Sequence, residues 1–442
     1  MPLLPIDPST SPRLPPSVAV VVAGGGPAGF MAAIVAAEAG VRDVHLLEAT
    51  AEPLHKVLIS GGGRCNVTHA CWDPGALVAH YPRGGRPLRG PFSRFAAAEA
   101  VDWFAAHGLE LVQESDGRLF PRANRSSAVI AVLRRAAENA GVVVHTGLAL
   151  RDAVPLPEGG FRLGLRRAGT PAVQTTTLRC SQLVLATGSH PSGRRLAAQL
   201  GHGLVAPVPS LFSLALGEDP LQELAGLALD PVSLELRVPS ADGVGRGECF
   251  RAQGPVLITH QGISGPATLR MTAFAARALQ AVGYRAELSV AWSGRWNRAE
   301  LGQLFAAARR DQARRQLANW RPWPALPRRL WQLLLRQLGV PADLRWADLD
   351  RGAEEHLVTS LVASRYRVCG RGPFGEEFVT AGGIPLGEVN MASMESRRCP
   401  GLFLVGEILD ADGVTGGFNF QQCWSTGWLA GTAVASESSR TP

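Results

Sequence analysis

At 442 residues the chain is long enough for two or three domains, and with 46% hydrophobic and 18% charged residues it has a real core rather than disorder. Its 50 glycines and 32 prolines stay below the share that marks low complexity. The formal charge is +7, from 44 basic and 37 acidic residues, yet Lys56 is the single lysine among 43 arginines, a skew of codon usage that is no evidence for phosphate binding.

Residues 1–17 are proline-rich, lack the apolar segment of a secretory signal, and read as a disordered tail. No run of 18 apolar residues occurs, so no membrane span is expected. The seven cysteines (65, 71, 180, 249, 369, 399 and 423) are odd in number, scattered and never spaced CxxC. Neither a disulfide framework nor a metal site is expected, and a reducing cytoplasm is the expected location.

In chain order, residues 18–48 read as strand, glycine-rich turn, helix and strand, with Val18-Ala19-Val20-Val21-Val22 first and Val44-His45-Leu46-Leu47 ending at Glu48. A helix is predicted after Ser126 and Ser127, with Val129, Ile130, Val132, Leu133 and Ala137 on one face and Gly141 past its end. Residues 142–145 and 183–186 read as strands. From about 206 to 290, short alternating segments broken by Pro and Gly, such as Val232-Ser233-Leu234-Glu235-Leu236-Arg237, predict antiparallel β structure. From about 297 to 340 the pattern is helical, divided by Pro322, Pro324 and Pro327. Strand-turn-helix grammar returns at 401–406 and closes with an alanine-rich helix to about 436. The two α/β parts read as one domain interrupted by the middle.

Gly24-Gly25-Gly26-Pro27-Ala28-Gly29 fits GxGxxG, directly after a strand and opening a helix. Gly24 permits the tight turn, Gly26 lets the backbone approach a pyrophosphate, and Gly29 lets helix and strand pack closely. Glu48 ends the second strand, where it can accept from an adenosine ribose hydroxyl. Leu183-Val184-Leu185-Ala186-Thr187-Gly188 resembles the ATG turn of two-dinucleotide-binding flavoproteins. Gly401-Leu402-Phe403-Leu404-Val405-Gly406-Glu407 resembles their last strand, whose closing acid holds the ribityl chain. That order matches FAD. No second GxGxxG unit exists, so NADH or NADPH, the expected donor, must dock without a Rossmann unit of its own.

Further segments narrow the resemblance. Lys56-Val57-Leu58-Ile59-Ser60-Gly61-Gly62-Gly63-Arg64-Cys65-Asn66-Val67-Thr68, Gly117-Arg118-Leu119-Phe120-Pro121, Thr259-His260-Gln261-Gly262-Ile263-Ser264-Gly265-Pro266, Thr380-Ala381-Gly382-Gly383, and residues 406–419 resemble the signatures of BaiN/YhiN-type NAD(P)/FAD-dependent oxidoreductases. The resemblance runs from about 18 to 432. It implies an α/β, Rossmann-like FAD-binding domain (18–205 with 376–436) split by a β-rich domain (206–290 with 352–375) that carries a basic helical insert (291–351). It implies flavin contacts from Lys56, Gly62, Gly63, Arg64, Asn66, Thr187, Gly188, Gly406, Glu407, Asp410, Gly416, Gly417, Phe418 and Asn419. One departure is the segment Ser189 to Arg195, which enters a helix sooner than the Tyr- and Gly-containing loop common in that family.

The residues also have their own physical reading. Gly61 to Gly63 can turn successive N–H groups toward a diphosphate or flavin edge, with Arg64 adding a fork of donors. The lone lysine inside this motif suggests a need for an ammonium at phosphate or flavin. Thr415-Gly416-Gly417 opens the last helix, whose dipole can stabilise negative charge at a reduced flavin's N1–C2=O edge. Hydride addition to a polarised C=C bond needs a proton donor; Cys65 is one candidate, or else a small packing residue, and His260 faces substrate or is structural.

Charge is unevenly spread. Residues 1–205 and 206–375 each carry +6, whereas 376–442 carry −5. Within 291–351, 12 arginines face 5 acids, and six of the ten tryptophans (292, 296, 320, 323, 331 and 346) lie there too. Arg309, Arg310, Arg314 and Arg315 are spaced to share a helix face. A second acid-free stretch holds Arg83, Arg86, Arg89 and Arg94. The region reads either as a ribosomal-RNA platform, with guanidinium forks on phosphates and stacked rings, or as a solvated face over a small tryptophan core. Three functions stay open: reduction of a ribosomal-RNA uridine to dihydrouridine, reduction or desaturation of a small enone-type molecule, and a flavin-containing RNA-binding factor without turnover.

Overall fold

A computed structural model describes residues 14–169, 175–243, 245–372 and 379–438; most of the expected tail lies outside these. Contacts divide the chain into two compact units, Met1–Pro207 with Val379–Pro442, and Val208–Phe378.

The first unit starts with β1 (Ser17–Ala23), α1 (Pro27–Glu38) and β2 (Val44–Leu47). The helix α2 (Ser126–Asn139) follows, and its buried side is the predicted one, Val129, Ile130, Val132, Leu133 and Ala137. Its N-cap is Arg125, without a side-chain cap, because the Ser126 hydroxyl donates instead to the Leu58 carbonyl at 2.7 Å. Next come β3 (Val143–His145), the hairpin β4 (Leu148–Pro155) and β5 (Phe161–Arg167), then β6 (Thr176–Leu185) and α3 (Pro191–Gln199). β1 pairs in parallel with β2 on one side and β6 on the other, Val22 lying opposite both Leu46 and Val184. Buried on both faces, these strands are near-continuous apolar runs.

The second unit holds the barrel strands β7 (Leu214–Leu216), β8 (Ala228–Val238), β9 (Glu248–Thr259) and β10 (Gly262–Ser264), then α4 (Pro266–Ala281) and β11 (Ala286–Ala291). Three helices, α5 (Arg298–Asp311), α6 (Arg328–Gln337) and α7 (Arg351–Ala363), precede β12 (Ser364–Arg371). The strands close in the order β7-β10-β9-β8-β11-β12. The 16-residue α4 departs from the all-β reading of 206–290: Ala267, Met271, Ala275 and Leu279 recur at helical spacing and are buried. Residues 291–351 likewise have no core of their own. Phe305, Trp331 and Trp346 belong to the same apolar cluster as barrel residues Leu236, Ile258 and Leu288.

The chain returns to the first unit with β13 (Leu402–Leu404), parallel to β6, and α8 (Phe418–Ser438). Glycines let α8 lie close on α1: a Cβ on Gly427 would stand 2.6 Å from the Ala28 carbonyl oxygen, and one on Gly431 2.6 Å from that of Ala32.

Candidate active site

The turn between β1 and α1 uses its glycines in three different ways. Gly24 has φ +118°, and a Cβ there would lie 2.3 Å from the Ala186 carbonyl oxygen. A Cβ on Gly29 would lie 2.0 Å from the Gly24 oxygen, so helix and strand touch through backbone. Gly26 meets nothing within 4 Å. It is the N-cap of α1 with no side-chain cap, and Pro27 and Ala28 follow in the first turn. An open approach to an uncapped helix N-terminus suits an anion. Glu48 is half-buried; one carboxylate oxygen accepts from the Gly25 N–H at 2.9 Å, the other from the Thr50 N–H at 2.7 Å and its hydroxyl at 2.8 Å. These bonds aim the carboxylate at the turn.

The single lysine meets the late acid across 351 positions. Lys56 Nζ lies 2.6 Å from Glu407 Oε2 and 3.2 Å from Ser189 Oγ, while Glu407 Oε1 accepts from the Thr380 N–H at 3.0 Å. Gly188, at φ +58°, brings the ATG turn beside the pair, since a Cβ there would be 3.6 Å from Glu407 Oε2. Gly406, at φ +72°, fits between helices: a Cβ would be 2.8 Å from that of Ala28. Asp410 is half-buried two residues beyond the Gly406–Ile408 turn, and its N–H donates to the Ile384 carbonyl at 2.8 Å.

Residues 61–63 wind through left-handed backbone. Gly61, Gly62 and Gly63 have φ of +56°, +66° and +84°, and nothing lies within 4 Å of a Cβ on Gly62 or Gly63. Arg64 is already engaged. Its Nε donates to Asn124 at 2.6 Å, a terminal nitrogen pairs with Glu114, and the guanidinium sits 4.0 Å over the Phe120 ring. Its donor fork is therefore turned to protein partners, contrary to the expectation of a free phosphate ligand. Asn66 Oδ1 and Thr187 Oγ1 are shut from solvent and have no hydrogen-bond partner. Such orphaned atoms are rare in a finished interior and suit a bound polar group. Together with the open faces of Gly26, Gly62 and Gly63, they make the unit a fitting host for FAD.

At the start of α8, Gly416 and Gly417 have φ of +125° and +95°, and a Cβ on Gly417 would stand 2.7 Å from the Thr68 carbonyl. Asn419 closes the loop by exchanging two bonds with the Gly413 backbone, at 2.8 and 2.9 Å. Phe418 is buried against two imidazoles, with ring centroids 4.2 Å from His80 and 4.8 Å from His69. The Tyr81 hydroxyl donates to the Phe418 carbonyl at 2.6 Å, and burial holds that phenol well above its usual pKa. Arg83 makes a bidentate pair with Asp412, which is fully buried. The sequence reading missed His69, His80, Tyr81 and Asp412 as parts of this corner. Their contacts span more than 300 positions, and no spacing pattern signals them.

Cys65 has no accessible surface and a left-handed φ of +57°. Burial pushes its thiol up to about 12, so it stays protonated. Buried and protonated, Cys65 sits as the small packing residue of the two alternatives does. His260 stands exposed in the two-residue turn between β9 and β10. The four arginines do not share a helix face. α5 ends at Asp311 and Gln312 breaks it at φ −127°, so Arg314 and Arg315 lie in the following turn. Arg309 pairs with Glu354 at 2.7 Å and Arg310 with Asp311 at 2.8 Å. Trp331 and Trp346 are wholly buried and Trp292 nearly so, with the other three tryptophans partly buried against the same cluster.

Among the described residues no helix is long and apolar enough to cross a membrane, and no group of three His, Cys, Asp or Glu side chains could hold a metal ion. A 3-dehydro-bile acid delta(4,6)-reductase of Clostridium scindens is 29% identical over 422 residues, covering 94% of this chain and 98% of the relative. A ribosomal RNA dihydrouridine synthase of Escherichia coli is 28% identical over 428 residues, covering 95% and 98%. Among solved structures, a 3-ketosteroid delta1-dehydrogenase from Sterolibacterium denitrificans superposes with a TM-score of 0.52 at 12% identity, over 96% of this chain and 100% of that one. A flavocytochrome c3 fumarate reductase gives 0.50 at 16%, over 96% and 79%. These two likenesses concern the fold alone. The HI0933-like protein Rossmann domain model matches residues 18–433, nearly the whole described chain, and the chain belongs to that family.

Proposed function

We propose that this FAD-dependent oxidoreductase adds hydride to an activated C=C bond, and that its leading substrate is a uridine of ribosomal RNA, reduced to dihydrouridine with NADH or NADPH as donor. The observation that carries the reading is the convergence, in one unit, of the open Gly26 turn, the Lys56–Glu407 pair and the glycine-opened start of α8. Both curated relatives have names that describe adding hydrogen across a C=C bond, one on a bile acid and one on uridine.

Bound FAD supplies the hydride. The chain's part is to hold and polarise. The α1 N-terminus would hold the diphosphate, and Glu48 would accept from the ribose. The α8 N-terminus at Gly417 favours negative charge nearby. Asp412, paired with Arg83, and Tyr81, bonded to the Phe418 carbonyl, keep that helix start in place. His260, whose substrate-facing role is part of this proposal, is exposed.

The test is nucleoside analysis of ribosomal RNA from cells with and without the gene. Loss of dihydrouridine on deletion is expected, and an unchanged content overturns the RNA substrate. A small enone is the second reading, favoured by the inward packing of Trp331 and Trp346, which removes a stacking platform. It predicts that an enone, and not RNA, reoxidises the NADPH-bleached flavin under anaerobic conditions.

A further inference from the structure

The stretch between Asp73 and Glu99 carries a surface that the proposed reaction does not use. From Pro74 to Ala98 the chain has no Asp or Glu, and four arginines fall there. The outer two serve the fold. Arg83 pairs with buried Asp412, and Arg94 donates to the Ala392 carbonyl at 2.7 Å. They flank the helix Gly85–Phe92, whose Leu88 and Phe92 are buried. The inner two, Arg86 and Arg89, stand exposed one turn apart on its solvent side. Neither guanidinium makes a hydrogen bond, ion pair or ring contact among the described residues.

Exposed arginines are common in this chain, so their charge alone assigns nothing. The second observation is aromatic. Trp72 is the single exposed tryptophan of the ten, at 50%, and its ring packs on no other ring or guanidinium among the described residues. So large an apolar ring is seldom left in water without a use. It directly precedes Asp73, which caps the short helix Pro74–Leu77 by accepting from the Ala76 N–H at 2.6 Å. That helix packs against Gly85–Phe92, so the indole and the two guanidiniums belong to adjoining elements. The same segment is tied to the start of α8. The Val414 N–H donates to the His80 carbonyl at 2.9 Å, and the Tyr81 hydroxyl donates to that of Phe418.

We infer that this face binds a single-stranded segment of RNA, with phosphodiesters on Arg86 and Arg89 and a base stacked on Trp72. Guanidinium forks match phosphate oxygens, and an indole offers a stacking face to any base. A lipid surface shares the phosphate chemistry but calls for apolar side chains to insert, and beside the arginines the exposed side of the helix carries only Pro87 and Gly90. The choice of RNA rests on the function proposed above.

The experiment titrates the full-length, FAD-loaded protein into a fluorescently labelled single-stranded oligouridylate and follows anisotropy. Arg86→Ala with Arg89→Ala is expected to weaken binding about tenfold at low salt. The slope of log affinity against log salt should fall by about 1.4, for two contacts of about 0.7 each. Trp72→Ala should weaken binding about tenfold at every salt concentration. These side chains lie at the surface, so flavin content and melting temperature should match the wild type and exclude misfolding as the cause. The inference is overturned if the wild type binds no oligouridylate, or if either variant binds it as the wild type does. It is also overturned if binding to phosphatidylglycerol vesicles, and not to RNA, is what the arginine variant loses. The proposed reaction fails separately. RNA held by this face, with ribosomal dihydrouridine unchanged on deletion of the gene, keeps the surface and removes the reaction; lost dihydrouridine with unaffected variants does the reverse.

Discussion

At the Gly24–Gly29 turn, what matters is a missing side chain: two of the glycines lie where a Cβ would strike backbone oxygen, and a third leaves an open face. In the 291–351 region the situation is reversed, with Trp331, Trp346 and Phe305 filling the barrel unit's apolar cluster while Arg309 and Arg310 close on Glu354 and Asp311. Both regions are rich in residues associated with ligands. They differ because a glycine's role is dictated by backbone geometry within a few residues, whereas an arginine or tryptophan serves a ligand or the protein according to what folds against it.

Substitutions in each region test that contrast. Trp346→Ala should remove about 3–5 kcal/mol from the barrel unit, seen as a lowered denaturation midpoint. An unchanged midpoint with weakened RNA binding would restore the stacking platform. Gly29→Ala should cost about 3 kcal/mol, since its Cβ would sit 2.0 Å from a backbone oxygen, and purified protein should lose most of its flavin absorbance. Retained flavin would show that the close contact of α1 and β1 is not needed.

A pH titration separates the two units. His45 Nδ1 lies 2.9 Å from His145 Nε2, and both rings are buried. Burial lowers both pKa values, and that of His145, with the neighbouring His45 adding repulsion, falls to about 4. Between about pH 6.5 and 4 the unfolded chain binds a proton that the native imidazole refuses, so stability declines as pH falls through that window. A loss of about 3 kcal/mol is expected in the Rossmann unit, and His145→Phe should flatten the slope. Equal slopes in wild type and variant would remove the imidazole pair as its cause.

Smaller effects are expected at the surface. Lys56→Ala should change stability by less than about 1 kcal/mol, because the lysine side chain is 51% exposed, yet weaken flavin retention about tenfold by releasing Glu407. An unaltered FAD dissociation constant would reduce the pair to a surface contact. Arg310→Glu together with Arg314→Glu should move stability by no more than about 0.5 kcal/mol and leave oligoribonucleotide affinity unchanged. A clear drop in that affinity would make 291–351 the RNA face after all.

The β1–α1–β2 unit, the ATG turn, β13 and α8 were legible because each announces itself by local pattern: an apolar strand, a glycine turn, an alanine-rich helix. α4 was missed because alanine and threonine blur its apolar stripe, and because the glycines and prolines around it read as strand breaks. The site was legible at its glycines and much less so at its side chains. Arg64 looked like a phosphate ligand and instead serves Glu114, Asn124 and Phe120. Cys65, read either as a proton donor or as a packing residue, is sealed beneath its loop.

What the chain determines on its own is the conformation of its turns and the order of its strands, since left-handed φ, close backbone approach and apolar runs depend on near neighbours. The opening arithmetic of +7 and one lysine acquired meaning only in three dimensions. There the lysine meets an acid 351 positions away, and Arg309 and Arg310 find carboxylates in Glu354 and Asp311. Charge acts through space over a few ångströms, so only the tertiary fold decides which charges are compensated and which are left for a ligand.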